Sequence, residues 1–300
     1  MGLKTKVISV IKRILFLEQT DSLSVFYILK RWNVRFGRYF YHKKYSSSDI
    51  ISILRELGVG EGSNIFIHSS WDSFYNFDDD IDALLESIIN LVGPAGTVAM
   101  PAVPVIKPGK RFNVNRTPTS AGLLAELFRR SPGVLRSRNV RHSVCALGPL
   151  AEYLTCDHHT SLVCFDEHSP YYRICERGFT VIALGLPKYY IGTIQYVSQA
   201  ILRNDIPFFS QFYTDKYETV EYVDSDGVIK SYRQIQESQS FSRKSYWKKK
   251  YVVKRYFDKD KYRLRRISNL NIMAVDANYA NEKLIELAKK GIFLYTYPFA

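Results

Sequence analysis

The sequence predicts an α/β protein, layered α/β/α around a mixed central sheet. Short buried apolar runs alternate with stretches in which apolar residues recur every three or four positions. The connections between them are short and marked by Gly, Pro, Ser and Asp. A chain of 300 residues with 46% apolar and 24% charged residues also has the balance of a folded protein with a large core.

The elements follow in chain order. Val7, Ile8, Ile11, Ile14 and Leu15 share one helical face, flanked by Lys4, Lys6, Lys12 and Arg13. Such a helix lies on an anionic membrane, or packs on the domain or on a second subunit. Residues 1–45 are therefore read as a basic amphipathic helical extension, and 46–300 as the main domain. Ser46 to Asp49 offer N-caps for a helix carrying Ile50, Ile51, Leu54 and Leu57 and ended by Gly58. Residues 63–70 read as a buried strand running into a polar turn. A helix spans 80–92, stopped by Gly93-Pro94, and a second buried strand spans 96–100, broken by Pro101. A loop rich in Gly, Pro, Asn and Arg covers 106–118, and a helix runs from Thr119 to Arg130.

Strands are expected at 144–147 and 179–185, and a helix at 191–202. An insertion at about 205–266 opens with a hairpin over 220–229, turned by Ser225-Asp226-Gly227. A helix at 281–290 and a strand at 292–297 close the domain.

The net charge of +13 is concentrated. Residues 1–44 carry +8 and residues 243–266 carry +10, so the remainder is mildly acidic at −5. Each basic segment should attract something anionic: lipid head groups, cofactor phosphates or nucleic acid. In 243–266 the cations interleave with aromatics, as in single-strand nucleic-acid binding; the competing reading is an insertion whose solvated basic face packs over the cleft or onto another subunit.

Cys145, Cys156, Cys164 and Cys175 contain no CxxC pair and read as reduced, mostly buried thiols. No apolar run approaches the roughly 20 residues that span a bilayer. The expected location is cytoplasmic, with the inner membrane face as an option through residues 1–44.

Three stretches carry candidate chemistry. His68-Ser69-Ser70 ends a buried strand, where backbone donors and small hydroxyls meet ligands in α/β sheets; the alternative is that the serines cap the next helix. In Arg136 to Ser143, His142 stands among Arg136, Arg138 and Arg141, whose charge should keep the imidazole neutral, as a general base requires. The third stretch joins Asp157-His158-His159 to Asp166-Glu167-His168. Its spacings match no metal motif, and adjacent side chains point apart, so no metal is expected.

Several short motifs then occur in order: Gly58-Val59-Gly60, Ile67-His68-Ser69-Ser70, the run from Gly93 to Pro101, Thr117-Pro118-Thr119-Ser120-Ala121-Gly122, Arg129 to Ser137, His142 to Gly148, and Ser169-Pro170. Together they resemble the aminoglycoside 3-N-acetyltransferase family over about 46–202 and again from about 266 to the end. The resemblance implies acetyl-CoA as donor, a primary amine on a sugar as acceptor, and direct transfer in a cleft above the sheet. It implies that His68, Ser69, Ser70, Arg136 and Ser137 hold coenzyme A. His142 becomes the general base, and Glu167, or else Asp166, orients it or holds the acceptor ammonium. Asp72, Asp166, Tyr196 and Gln199 are the remaining acceptor-binding candidates.

The chain also departs from the family. Asn139-Val140 replaces a frequent His-Pro. Tyr196 and Gln199 stand where many aminoglycoside-modifying members carry a His and an acidic residue. A polycation needs carboxylates, so these replacements point to a neutral or anionic acceptor: an amino sugar on a nucleotide diphosphate or polyprenyl diphosphate, as in surface-polysaccharide biosynthesis. The alternatives are an aminoglycoside acetyltransferase and a non-enzymatic nucleic-acid-binding protein using 243–266.

Overall fold

The computed structural model describes residues 25–238, 246–247 and 249–296. The helix expected over 7–15 lies outside the described residues. The described chain opens with helix α1 (Val25–Phe40) and α2 (Ser47–Glu56), the latter held by a capping box in which Ser46 and Asp49 bond each other's backbone N–H. Strand β1 (Asn64–Ser69), α3 (Ile81–Val92), β2 (Thr97–Pro101), β3 (Phe112–Asn113), α4 (Leu123–Arg130), β4 (Leu135–Arg136) and β5 (Val144–Leu147) follow. Then come α5 (Ala151–Thr155), α6 (Pro170–Glu176), β6 (Thr180–Leu184), α7 (Ile194–Ile201), α8 (Pro207–Ser210), β7 (Tyr213–Val223) and β8 (Ile229–Glu237). The chain closes with β9 (Tyr246–Trp247), α9 (Lys249–Tyr256), β10 (Tyr262–Ile267), β11 (Leu270–Asp276), α10 (Ala277–Lys289) and β12 (Tyr295–Thr296).

Seven strands form the main sheet in the order β10-β11-β6-β1-β2-β5-β4. Its three central strands, β6, β1 and β2, are parallel, and the outer pairings are antiparallel. The sheet is mixed, as expected, and apolar on both faces. Ile65 and Ile67 of β1 pack with Leu54, Ile88 and Phe128 on one side; Phe66 packs with Leu154, Ile174, Val197 and Leu284 on the other. Alternation of side chains along the strand produces this three-layer core.

Several boundaries differ from the sequence reading. The helix expected at Thr119 begins at Leu123, because Gly122 takes φ +112° and the Thr119 hydroxyl donates to the Val103 carbonyl instead of opening a helical turn. Pro101 does not break β2 but ends it, opposite Val144 at the antiparallel junction. The hairpin is far longer than its turn suggested: β7 and β8 form a separate three-stranded sheet with β3. β10, within the segment read as the insertion, is the edge strand of the main sheet.

Within the basic segment, α9 buries Val252 and Val253, Phe257 follows them into the core, and Lys250, Lys254 and Arg255 face solvent. Of the aromatics interleaved with these cations, Phe257 is buried in the core and Tyr251 is exposed. The four cysteines are free thiols, three buried and Cys156 half-buried.

Candidate active site

Parallel β1 sits between β6 and β2, so the crevice beyond its carboxyl end is the place where an α/β sheet accepts a ligand. There Ser69 and Ser70 are half-buried, followed by a 3-10 turn over Trp71–Ser73. The Ser70 N–H donates to the Leu184 carbonyl (3.0 Å), while its hydroxyl makes no capping bond, so the helix-capping role is not the one it plays. Gly185, at φ +71°, lets the backbone pass close to this turn; a Cβ there would stand 2.9 Å from the Ser70 carbonyl oxygen. His68 is buried beneath the turn, its ring 5.1 Å from Phe66 and 5.4 Å from Tyr190.

The loop between β4 and β5 presents His142. The Asn139 side-chain oxygen accepts from the backbone N–H of Arg141 (3.0 Å) and of His142 (2.9 Å), a side-chain-closed turn. The imidazole packs on Phe165 (centroids 4.7 Å), which stacks on Tyr196 (4.9 Å) and meets Tyr171 (4.9 Å). Tyr171 in turn meets Phe66 (5.7 Å), so a row of rings joins His142 to His68. Burial first, and then the Arg141 guanidinium, push the His142 pKa down to about 4. The ring is therefore neutral around pH 7, as the sequence indicated, although desolvation outweighs the neighbouring positive charge as the cause.

The carboxylate that meets this ring is Glu237, at the end of β8. Its Oε1 lies 3.9 Å from His142 Nε2, and its Oε2 lies 3.9 Å from Arg141, which also pairs with Glu218. Burial raises the Glu237 pKa, against the opposing pull of Arg141. The Cys164 thiol completes the group: the His142, Cys164 and Glu237 donor atoms all lie within 4.8 Å of one another.

The other candidates divide. Tyr196 lies in the site through Phe165. Gln199 stands just behind it, donating to the Tyr213 hydroxyl (3.3 Å), and Tyr213 is the cross-strand partner of Glu237. Glu167 is exposed, and Glu237 occupies the position beside His142 that Glu167 was expected to take. Asp166 is buried and accepts from the backbone N–H of Val163 (3.1 Å) and His168 (3.2 Å), so its charge is used to close its own turn. Asp72 is exposed on the 3-10 turn.

Arg136 and Ser137 do structural work. The buried Arg136 guanidinium donates to the carbonyls of Ala102, Val114 and Thr117 and to the Ser143 hydroxyl, and burial pulls its pKa down to about 10. Ser137 accepts from the Val144 N–H and donates to His158 Nδ1 (2.9 Å), while His158 Nε2 donates to the Cys164 carbonyl (3.0 Å). This relay fixes the tautomer of His158 and ties the loop of His142 to that of Cys164.

The sequence profile of the aminoglycoside 3-N-acetyltransferase family matches residues 66–288. The chain belongs to this family of acetyltransferases. Among curated relatives, aminoglycoside N(3)-acetyltransferase III of Salmonella sp is 30% identical over 177 residues, covering 53% of this chain and 60% of the relative. Among solved structures, AAC-IIIb in its binary complex with CoASH superposes with a TM-score of 0.69 at 22% identity, covering 84% of this chain and 98% of that one. AAC-VIa bound to sisomicin gives 0.67 at 17% identity, covering 83% and 99%. These superpositions show that this member of the family shares the acetyltransferase fold.

Proposed function

We propose that this protein transfers an acetyl group from acetyl-CoA to the primary amine of an amino sugar, with His142 as general base. The observation that carries the reading is a neutral imidazole held against a carboxylate in a half-buried, aromatic-walled site. The acceptor nitrogen attacks the thioester carbonyl, the C–S bond breaks, and coenzyme A leaves as the thiol. His142 takes the proton that the amine loses, and Glu237 stabilises the imidazolium so formed. Coenzyme A bound to a relative supports acetyl-CoA as donor. The Ser69-Ser70 turn, above His68, is the part of the expected cofactor set placed to meet it.

The acceptor side supports a neutral or anionic sugar. The α7 residues that reach the site are the uncharged Tyr196 and Gln199, and the carboxylates Glu218 and Glu237 both face Arg141. An amino sugar linked to a nucleotide or polyprenyl diphosphate, as in surface-polysaccharide biosynthesis, suits this balance of charge. Phe36, Tyr39 and Phe40 share one face of α1, stand exposed beside Arg35 and Arg38, and support contact with an anionic membrane that would carry such a lipid. Among the described residues no helix is long and apolar enough to cross a membrane. The second reading is an aminoglycoside acceptor, favoured by the names and the bound sisomicin of relatives.

Acetyl-CoA consumption is to be measured with nucleotide-linked amino sugars and kanamycin. Turnover of the nucleotide sugars is the expected result. Turnover of kanamycin alone would overturn the acceptor assignment, and full turnover retained by His142→Gln would overturn the base.

A further inference from the structure

His142, Cys164 and Glu237 come from three separate segments: the β4–β5 loop, the turn before α6, and the end of β8. Their donor atoms nonetheless converge to within 4.8 Å of one another, with 3.9 Å between His142 Nε2 and Glu237 Oε1. A tetrahedral zinc ion bonds nitrogen, oxygen and sulfur at about 2.0–2.3 Å, which sets its ligand atoms roughly 3.3–3.8 Å apart. The widest separation must close by about 1–1.5 Å, roughly half to three-quarters of an ångström in each of two side chains.

The donor set is one imidazole, one thiol and one carboxylate. Imidazole with thiolate selects a borderline-soft ion over Mg²⁺ or Ca²⁺. Bound as thiolate and carboxylate, Cys164 and Glu237 would together balance a 2+ charge.

The surroundings fit this use. Cys164 is 3% exposed, whereas the His142 and Glu237 side chains are 27% and 32% exposed, so an ion has a way in from solvent. The turn at Asn139 and the ring of Phe165 hold the imidazole, and Arg141 holds the far oxygen of Glu237, leaving Oε1 toward the ring. The Gln234 side-chain oxygen, 3.9 Å from Cys164 Sγ, offers a fourth donor, with water as the alternative.

We propose that His142, Cys164 and Glu237 form a binding site for Zn²⁺. On binding, the thiol gives up its proton to solvent and the lone pair of His142 Nε2 is taken by the metal. The consequence for catalysis rests on His142 being the base: Zn²⁺ would inhibit the enzyme reversibly.

The test uses Co²⁺ as a spectroscopic stand-in, added to the metal-stripped full chain. One equivalent should produce a thiolate-to-cobalt charge-transfer band and the intense visible bands of a tetrahedral site, both abolished by Zn²⁺ and unaffected by Mg²⁺. Cys164→Ser should lose the charge-transfer band. Glu237→Gln, which keeps the thiol, should retain it but need at least tenfold more Co²⁺. Circular dichroism of each variant separates lost ligands from lost folding. No band in the wild-type chain, or a band that survives Cys164→Ser, overturns the site. Zn²⁺ that displaces Co²⁺ yet leaves turnover untouched supports the metal site and overturns His142 as base.

Discussion

His142 offers the sharpest quantitative test. Unperturbed histidine titrates near pH 6.5, whereas burial and Arg141 bring this ring down to about 4. At pH 5.5 an ordinary histidine is roughly 90% protonated, but one with a pKa of 4 is only about 3% protonated. The imidazole resonances, followed by NMR and assigned by their disappearance in His142→Gln, should therefore stay in the neutral form down to about pH 5. A shift of about 2.5 units corresponds to roughly 3 kcal/mol, at about 1.4 kcal/mol per unit. The sign follows from proton uptake. Below pH 6.5 the unfolded chain binds a proton that the folded chain refuses, so the contribution is complete above pH 6.5 and is lost as the pH falls toward 4. Denaturant unfolding of the wild type should thus weaken more steeply across that interval than unfolding of His142→Gln. A His142 midpoint near 6.5, or parallel pH profiles for the two proteins, would refute the burial argument and remove the neutral base at mildly acid pH.

Other outcomes can be checked independently. Glu237→Gln should lower kcat by roughly 10- to 100-fold, in line with a supporting group in acid–base catalysis. Glu167→Gln should change it by less than about twofold, and steady-state kinetics of both variants would show whether the two carboxylates have been assigned in the wrong order. Ser137→Ala strips His158 Nδ1 of its buried donor and should cost about 1–3 kcal/mol in urea unfolding; a change under about 0.5 kcal/mol would mean that the relay does not hold the two loops. Phe36→Ser combined with Phe40→Ser should weaken co-sedimentation with anionic vesicles while leaving acetyl transfer to a water-soluble acceptor intact, and equal binding by the variant would point the α1 aromatics toward a protein surface.

The central sheet was legible along the chain because its signals are local. Ile65 to Ile67 must be buried on both faces, Gly93 must end a helix, and the order of short motifs around His68, Gly96 and His142 identifies the family. A neutral His142 was legible too, though for a lesser cause: the arginines beside it are visible in the sequence, and the burial that dominates is not. Its partner was hidden altogether. Nothing near His142 in the chain points to Glu237, because the hairpin that carries it, paired with β3 in a sheet of its own, reaches the loop from far along the sequence. Arg136 and Ser137, by motif, belonged with the cofactor. In the fold both are buried, and their hydrogen bonds go to the carbonyls of Ala102, Val114 and Thr117, to Ser143, to the Val144 N–H and to His158. A residue's type and its neighbours in sequence establish what chemistry it is able to perform. Which charges it faces, and how much water remains around it, depend on contacts between distant segments, and those exist only in the folded chain.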